Sequence, residues 1–160
     1  MSSIAYRYTN DEQTALQLMN SAFMKVLQNL KSYDSHYALG SWIRKVVVNH
    51  MIDEYRKEKR YISNVHLTDF EDIQTGVSYN KGAQQLEANE LRDLLYQLPD
   101  VTQKVFNLYA IDGYKHKEIA DMLGISEGTS KWHVNHGRNR LRELIEELYQ
   151  DQKKVAEAVK

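Results

Sequence analysis

The sequence predicts an all-α chain of two small helical domains joined by a flexible acidic linker. Three observations carry that reading. Apolar residues recur at helical spacing toward both ends of the chain, and no stretch alternates apolar with polar residues as a half-buried strand would. Between those stretches, from residue 61 to about residue 84, the pattern dissolves into Ser, Asn, Asp, Thr and Gly. The chain has 160 residues, 42% hydrophobic and 27% charged, an ordinary globular composition with room for one or two small domains. The boundaries expected are 1–62 for the first domain, 63–84 for the linker, 85–150 for the second domain and 151–160 for a charged tail.

In the first domain Ala15, Leu16, Leu18, Met19, Ala22, Phe23, Val26, Leu27 and Leu30 predict a helix at about 11–31, capped by Asn10 or Asp11. A turn-rich, tyrosine-bearing loop follows at 32–40. A second helix is expected from Ser41 to about Arg60. At the ~100° per residue of a helix, Ile43, Val46, Val47, His50 and Met51 share one face, while Val48, Ile52 and Tyr55 occupy another. A stripe of Trp42, Lys45, Asn49, Asp53, Arg56 and Arg60 runs between them. Two apolar faces require two partner surfaces, and this half of the chain offers one other long helix. The expectation is therefore an absent N-terminal helix or an external protein.

The second domain opens with Leu86, Leu91, Leu94, Leu95 and Leu98, a helix that stops at Pro99. Asp100 is expected to cap the next, in which Val101, Val105, Phe106, Leu108 and Tyr109 supply apolar contacts before Gly113 ends it. Residues 118–141 (EIADMLGISEGTSKWHVNHGRNRL) then read as helix, glycine turn, helix. Ile119, Ala120 and Leu123 give the first an inward face, Gly124 can take the left-handed conformation that ends it, and Ser126 can cap the second. There Ser130, Val134, Gly137 and Leu141 face inward, leaving Lys131, Trp132, Asn135 and His136 outward. That is the layout of a helix-turn-helix, in which one short helix braces another for the major groove. The last helix is expected to extend through Leu144, Ile145 and Leu148.

These residue types suit duplex reading. Lys favours guanine acceptors, Asn pairs with adenine, and an indole can pack on a thymine methyl. Arg138, Arg140 and Arg142, with Lys115 and Lys117 at the start of the bracing helix, suit phosphates. Ser130 places a hydroxyl in an apolar interior, where it needs a partner. The stripe from Trp42 to Arg60 suits unstacked bases and single-stranded backbone; a core tryptophan beside a solvated face gives the same pattern. The formal net charge of −1 argues against binding by bulk charge. Positive charge is local instead: Arg44, Lys45, Arg56, Lys57, Lys59 and Arg60 in one cluster, Lys115, Lys117, Lys131, Arg138, Arg140 and Arg142 in the other. Asp69, Glu71, Asp72, Glu87 and Glu90 lie between. Two DNA contacts and a partner that supplies further affinity are implied.

Other classes find little support. The absence of Cys excludes disulfides, thiolate zinc sites and a cysteine nucleophile. His133 and His136 stand three apart, but no nearby carboxylate completes a metal set, so neither metal nor cofactor is expected. Asp53 and Glu54 are adjacent, hence on different faces, and offer no acid/base pair. With no phosphate loop or nucleophile elbow, an enzyme is not expected. No apolar run has the length to span a bilayer and the N-terminus lacks the features of a secretory signal, which leaves a cytoplasmic location by default.

The order of these features resembles the bacterial RNA polymerase sigma factors of the extracytoplasmic-function (ECF) subfamily, over about residues 8–148. The resemblance is carried by residues 18–26 (LMNSAFMKV), 41–56 (SWIRKVVVNHMIDEYR), Leu98 with Pro99, Val105 with Phe106, and the helix-turn-helix at 113–141. The helix-turn-helix is shared with other bacterial regulators; the pattern of Trp42, Ile43, Arg44, Asn49, Asp53 and Arg56 is more specific. The resemblance implies a region 2-like first domain and a region 4-like second one. It implies core RNA polymerase as a partner, through the β′ clamp helices and the β flap, together with promoter DNA and an anti-sigma factor of the kind many members have. Gln17, Leu18, Asn20, Ser21 and Met24 would belong to the surface that docks on the clamp. Ser32, Tyr33, Asp34 and Tyr37 would sit where members capture a flipped base of the minus-ten element. Trp42, Lys45, Asn49 and Arg56 would melt and hold the non-template strand. The linker would thread toward the active-site cleft. Lys131, Trp132, Asn135 and His136, supported by Arg138, Lys115 and Lys117, would read the minus-thirty-five element.

The chain departs from the family pattern in three places. Members usually begin with a further helix ahead of the position of Arg7 and Tyr8. Many carry Asp, Gln and Glu where this chain has Gln17, Asn20 and Ser21, which implies a clamp contact that is weaker or relies on apolar residues. Ser130 stands where valine is usual. Two other readings compete. A regulator that acts without docking on polymerase would bind a palindrome as a dimer, but it needs a receiver or ligand domain before Leu86. A protein-binding helical module that titrates a partner needs no DNA at all.

Overall fold

The computed structural model describes residues 2–65 and 86–158, and every element among them is helical. Asp11 starts the first long helix. Its backbone is extended (φ −87°, ψ 121°) and its carboxylate accepts the Thr14 N–H at 2.7 Å as well as the Thr14 hydroxyl. Of the two candidate caps, Asp11 is the one used. Those bonds hold its carboxyl below the usual carboxylate range.

Three helices form the N-terminal unit: α1 (Ser2–Ala5), α2 (Glu12–Gln28) and α3 (Leu39–Val65). A 3-10 turn, Leu30–Ser32, follows α2, so this helix stops short of the expected end. Val47, Val48, Met51 and Ile52 of α3 are almost wholly buried, and His50 with them. Ala15, Ala22 and Val26 of α2 pack along α3, the two alanines permitting a close approach. Both apolar faces of α3 are thus buried within the chain, where a missing helix or an external protein was expected; α1 touches both longer helices, and Ile4, Ala5 and Tyr8 are buried.

α3 continues to Val65, past the residue 63 at which the linker is expected to begin. Apolar periodicity fades at residue 61, but no Pro or Gly occurs before Gly76 to stop the helix. The rest of the expected linker, with Asp69, Glu71 and Asp72, lies outside the described residues.

The C-terminal unit contains α4 (Leu86–Tyr96), α5 (Asp100–Phe106) running into one π-helical turn (Asn107–Ile111), α6 (His116–Leu123) and α7 (Glu127–Ala158). Pro99 (φ −51°, ψ 142°), not Asp100, holds the cap position of α5, and no side chain caps it. Asp100 is the first helical residue, where its charge suits the helix dipole and meets the Lys104 ammonium at 3.2 Å. Leu94, Leu95, Leu98, Leu141 and Leu144 form the core, with Phe106 against it. The stretch expected as a charged tail is helical as far as Ala158, since α7 meets no helix breaker there.

Candidate nucleic-acid interface

Two glycines and two caps set the helix-turn-helix. Gly113 (φ +78°) and Gly124 (φ +69°) adopt the left-handed region that ends the segments before them. Lys115 donates its N–H to the Glu118 carboxylate at 2.8 Å, fixing the start of α6. The Ser126 hydroxyl accepts the Thr129 N–H at 2.9 Å and caps α7 as the sequence suggests.

Inside the motif Ile119, Ser130, Val134, Gly137 and Leu141 are buried as expected, while Ala120 and Leu123 are half-buried. The buried Ser130 hydroxyl finds its partner in His116, whose Nδ1 lies 3.0 Å away. That imidazole stacks on Tyr109 of the π-helical turn, with ring centroids 4.4 Å apart and planes 15° from parallel. Gly137 lets α5 approach α7: a Cβ there would come within 3.1 Å of both the Phe106 and the Thr102 side chains.

The outer face presents Lys131, Trp132, Asn135, His136 and Arg138, with Lys115 and Lys117 at the start of α6, all exposed. Trp132 is 56% exposed, which excludes a core role. Its indole lies flat against His136 (4.8 Å, 8°) and takes the edge of His133 (4.9 Å, 77°). The Lys131 ammonium lies 2.8 Å from Glu127, whose carboxyl that bond holds below the usual range. Arg140, expected on phosphate, pairs with Glu143 at 3.0 Å and approaches Glu147 at 3.8 Å. His133 bonds the Thr102 hydroxyl of α5 through Nδ1 at 2.9 Å. Among the described residues no group of three metal-ligating side chains forms, and no helix is long and apolar enough to cross a membrane.

In the N-terminal unit the loop ahead of α3 is closed by its own side chains. The Tyr33 hydroxyl donates to the Tyr37 carbonyl at 2.8 Å, and its ring leans on Trp42 at 5.4 Å. Asp34 accepts the His36 N–H at 3.0 Å and meets its Nδ1 at 2.7 Å; these contacts hold its carboxyl low. The Ser32 hydroxyl donates to the Asn29 carbonyl at 2.7 Å. Tyr37 is left standing in solvent. Beside the loop, Trp42 and Arg56 are half-buried and Lys45 and Asn49 exposed, so the stripe is a surface with Trp42 partly set into the core.

On α2, Gln17, Asn20 and Met24 are exposed and Leu18 is half-buried. Ser21 is exposed as well, but its hydroxyl donates to the Leu18 carbonyl at 3.0 Å and lies 2.7 Å from His50 Nε2 on α3. Leu16, Phe23, Leu27 and Leu30, part of the apolar spacing that predicts this helix, are each about half exposed. The signal was present, because α2 carries more apolar residues than one buried face requires.

Residues 1–61 match the family model described as Sigma-70 region 2, and residues 88–141 match Sigma-70, region 4. RNA polymerase sigma factor SigZ of Bacillus subtilis is 28% identical over 137 residues, which are 86% of this chain and 76% of SigZ. The ECF RNA polymerase sigma factor SigW of the same organism is 27% identical over 154 residues, 91% of this chain and 82% of SigW. Among solved structures, the sigma factor RpoE of Bartonella quintana, in complex with the anti-sigma factor NepR, superposes with a TM-score of 0.58. That match covers 91% of this chain and 89% of RpoE at 21% identity, a likeness of fold.

Proposed function

The chain belongs to the sigma-70 family of RNA polymerase sigma factors, in its extracytoplasmic-function branch, and confers promoter specificity on the polymerase; from that premise we propose how its two units divide the work. The exposed apolar face of α2, from Leu16 through Phe23 and Met24 to Leu27, docks on the β′ clamp helices, with Gln17 and Asn20 at its edge. Those apolar residues stand in for the Asp, Gln and Glu side chains that many members carry where this chain has Gln17, Asn20 and Ser21. The loop with Asp34 and Tyr37 receives a flipped base of the minus-ten element, and Trp42, Lys45, Asn49 and Arg56 hold the unpaired strand. Lys131, Trp132, Asn135 and His136 read the minus-thirty-five duplex, with Arg138, Lys115 and Lys117 on phosphates and the β flap as a second polymerase contact.

One observation carries this division. A single chain presents an aromatic and cationic stripe beside a tyrosine loop on one unit, and a groove-reading helix on the other. Extruding a base costs a few kcal/mol, which polymerase docking offsets. A net charge of −1 fits a factor that binds promoters weakly by itself. An anti-sigma factor that covered the apolar face of α2 would compete directly with polymerase. Such a factor works in the cytoplasm, where polymerase and promoters are.

The competing regulator reading requires a receiver or ligand domain before Leu86, and residues 1–61 match sigma region 2 instead. Run-off transcription tests the proposal. Core polymerase supplemented with this chain should initiate from a promoter with two elements, and mutation of either element should abolish the transcript. Absence of any stimulation would overturn it.

A further inference from the structure

We propose that Trp132 reads the C5 methyl of a thymine in the minus-thirty-five element, and that His133 and His136 hold its ring for that contact. The inference rests on the assignment of α7 to that duplex. Among the outward residues Lys131, Trp132, Asn135, His136 and Arg138, the indole is the one large apolar group, and more than half of it faces solvent. The exposed ring offers a partner surface a large apolar area to bury.

Its placement is not loose. Thr102 on α5 bonds His133 at 2.9 Å, the edge of His133 meets the indole at 4.9 Å, and His136 stacks on the indole at 4.8 Å with planes 8° apart. The ring is thereby propped from the core on one side and backed one turn along the helix on another. A side chain already ordered loses little entropy when it makes contact. Its neighbour Lys131 is drawn back to Glu127 at 2.8 Å, one turn toward the start of α7.

The chemistry of the groove selects the target. Base edges in the major groove present hydrogen-bonding groups and one apolar group, the C5 methyl of thymine. A rigid aromatic surface discriminates by burying that methyl.

The test uses holoenzyme assembled from the full chain and core polymerase. A minus-thirty-five element is first selected by this holoenzyme from a randomised set, and each thymidine in it is then replaced singly by deoxyuridine. That replacement keeps every hydrogen-bonding edge and removes only the methyl. At one or two positions promoter affinity should fall about fourfold, the transfer free energy of one buried methyl. Trp132→Ala holoenzyme should be indifferent to deoxyuridine at those positions, with an unfolding midpoint unchanged. His133→Ala should retain a preference for the element while losing part of the methyl effect; full retention would overturn its positioning role. Wild-type preference for the element together with indifference to deoxyuridine everywhere would overturn the methyl contact alone. No preference within the randomised set would overturn the assignment of α7 to the minus-thirty-five element, and the methyl contact with it.

Discussion

His116 Nδ1 lies 3.0 Å from the Oγ of Ser130, tying the first residue of α6 to a side chain of α7 that has no solvent exposure. The bond fixes the bracing helix to the recognition helix at its buried face. It also answers how a serine is accommodated where an apolar side chain would pack without a partner.

The two halves of that bond are unequal. His116→Ala leaves a buried hydroxyl without its imidazole, a loss of about 1–3 kcal/mol. Ser130 can turn toward the carbonyl of residue 126, one turn back, so the lower end of that range is expected. Ser130→Ala strands only a half-buried ring that water reaches, and should cost less. In urea denaturation the double variant should lose less than the two single losses combined, as residues in direct contact do.

Gly137→Ala should destabilise the C-terminal unit although alanine is the better helix former. Helix propensity favours the change by about 1 kcal/mol. The new Cβ meets the Phe106 and Thr102 side chains at 3.1 Å, and overpacking of that kind costs about 1–3 kcal/mol. A net loss of about 1 kcal/mol in thermal or urea unfolding is expected, with Gly137→Val worse.

Burial pushes the His50 imidazole below its ordinary value, aided by Lys25 and Lys57 and opposed by Glu54 and Asp53. The unfolded chain therefore takes up a proton near pH 6.5, where the folded N-terminal unit still resists it. Above that pH the group contributes nothing to the pH dependence of stability; below it, stability falls until the folded imidazole also protonates. His50→Gln keeps a side chain for Ser21 to bond and cannot titrate. Between about pH 7 and pH 5 the wild-type unfolding midpoint should drop further than that of the variant.

Phe23→Ser and Leu27→Ser should leave the fold intact, because both side chains are about half exposed, and should weaken polymerase binding by about tenfold or more. Competition with a labelled sigma factor for core polymerase measures this directly. Unchanged competition by both variants would place the docking surface elsewhere.

The helix-turn-helix was legible residue by residue because its constraints are local. Gly124 needs the left-handed region, Ser126 must bond an N–H three residues on, and Val134, Gly137 and Leu141 share a face by helix geometry alone. The α3 stripe was legible for the same reason. The ends of α3 and α7 were not, since apolar periodicity fades before helix propensity does.

The sequence by itself determined the longer helices, the turn of the helix-turn-helix and the outward residues of α7, since those follow from the backbone period and from caps a few residues away. Tertiary structure decided which of several apolar faces was buried. It turned Ser21 toward His50, left Phe23 and Leu27 in solvent, packed α1 against α2 and α3, and gave Ser130 its histidine. Each depends on a residue distant in sequence brought close by packing, and helical spacing cannot say which neighbour a face will meet.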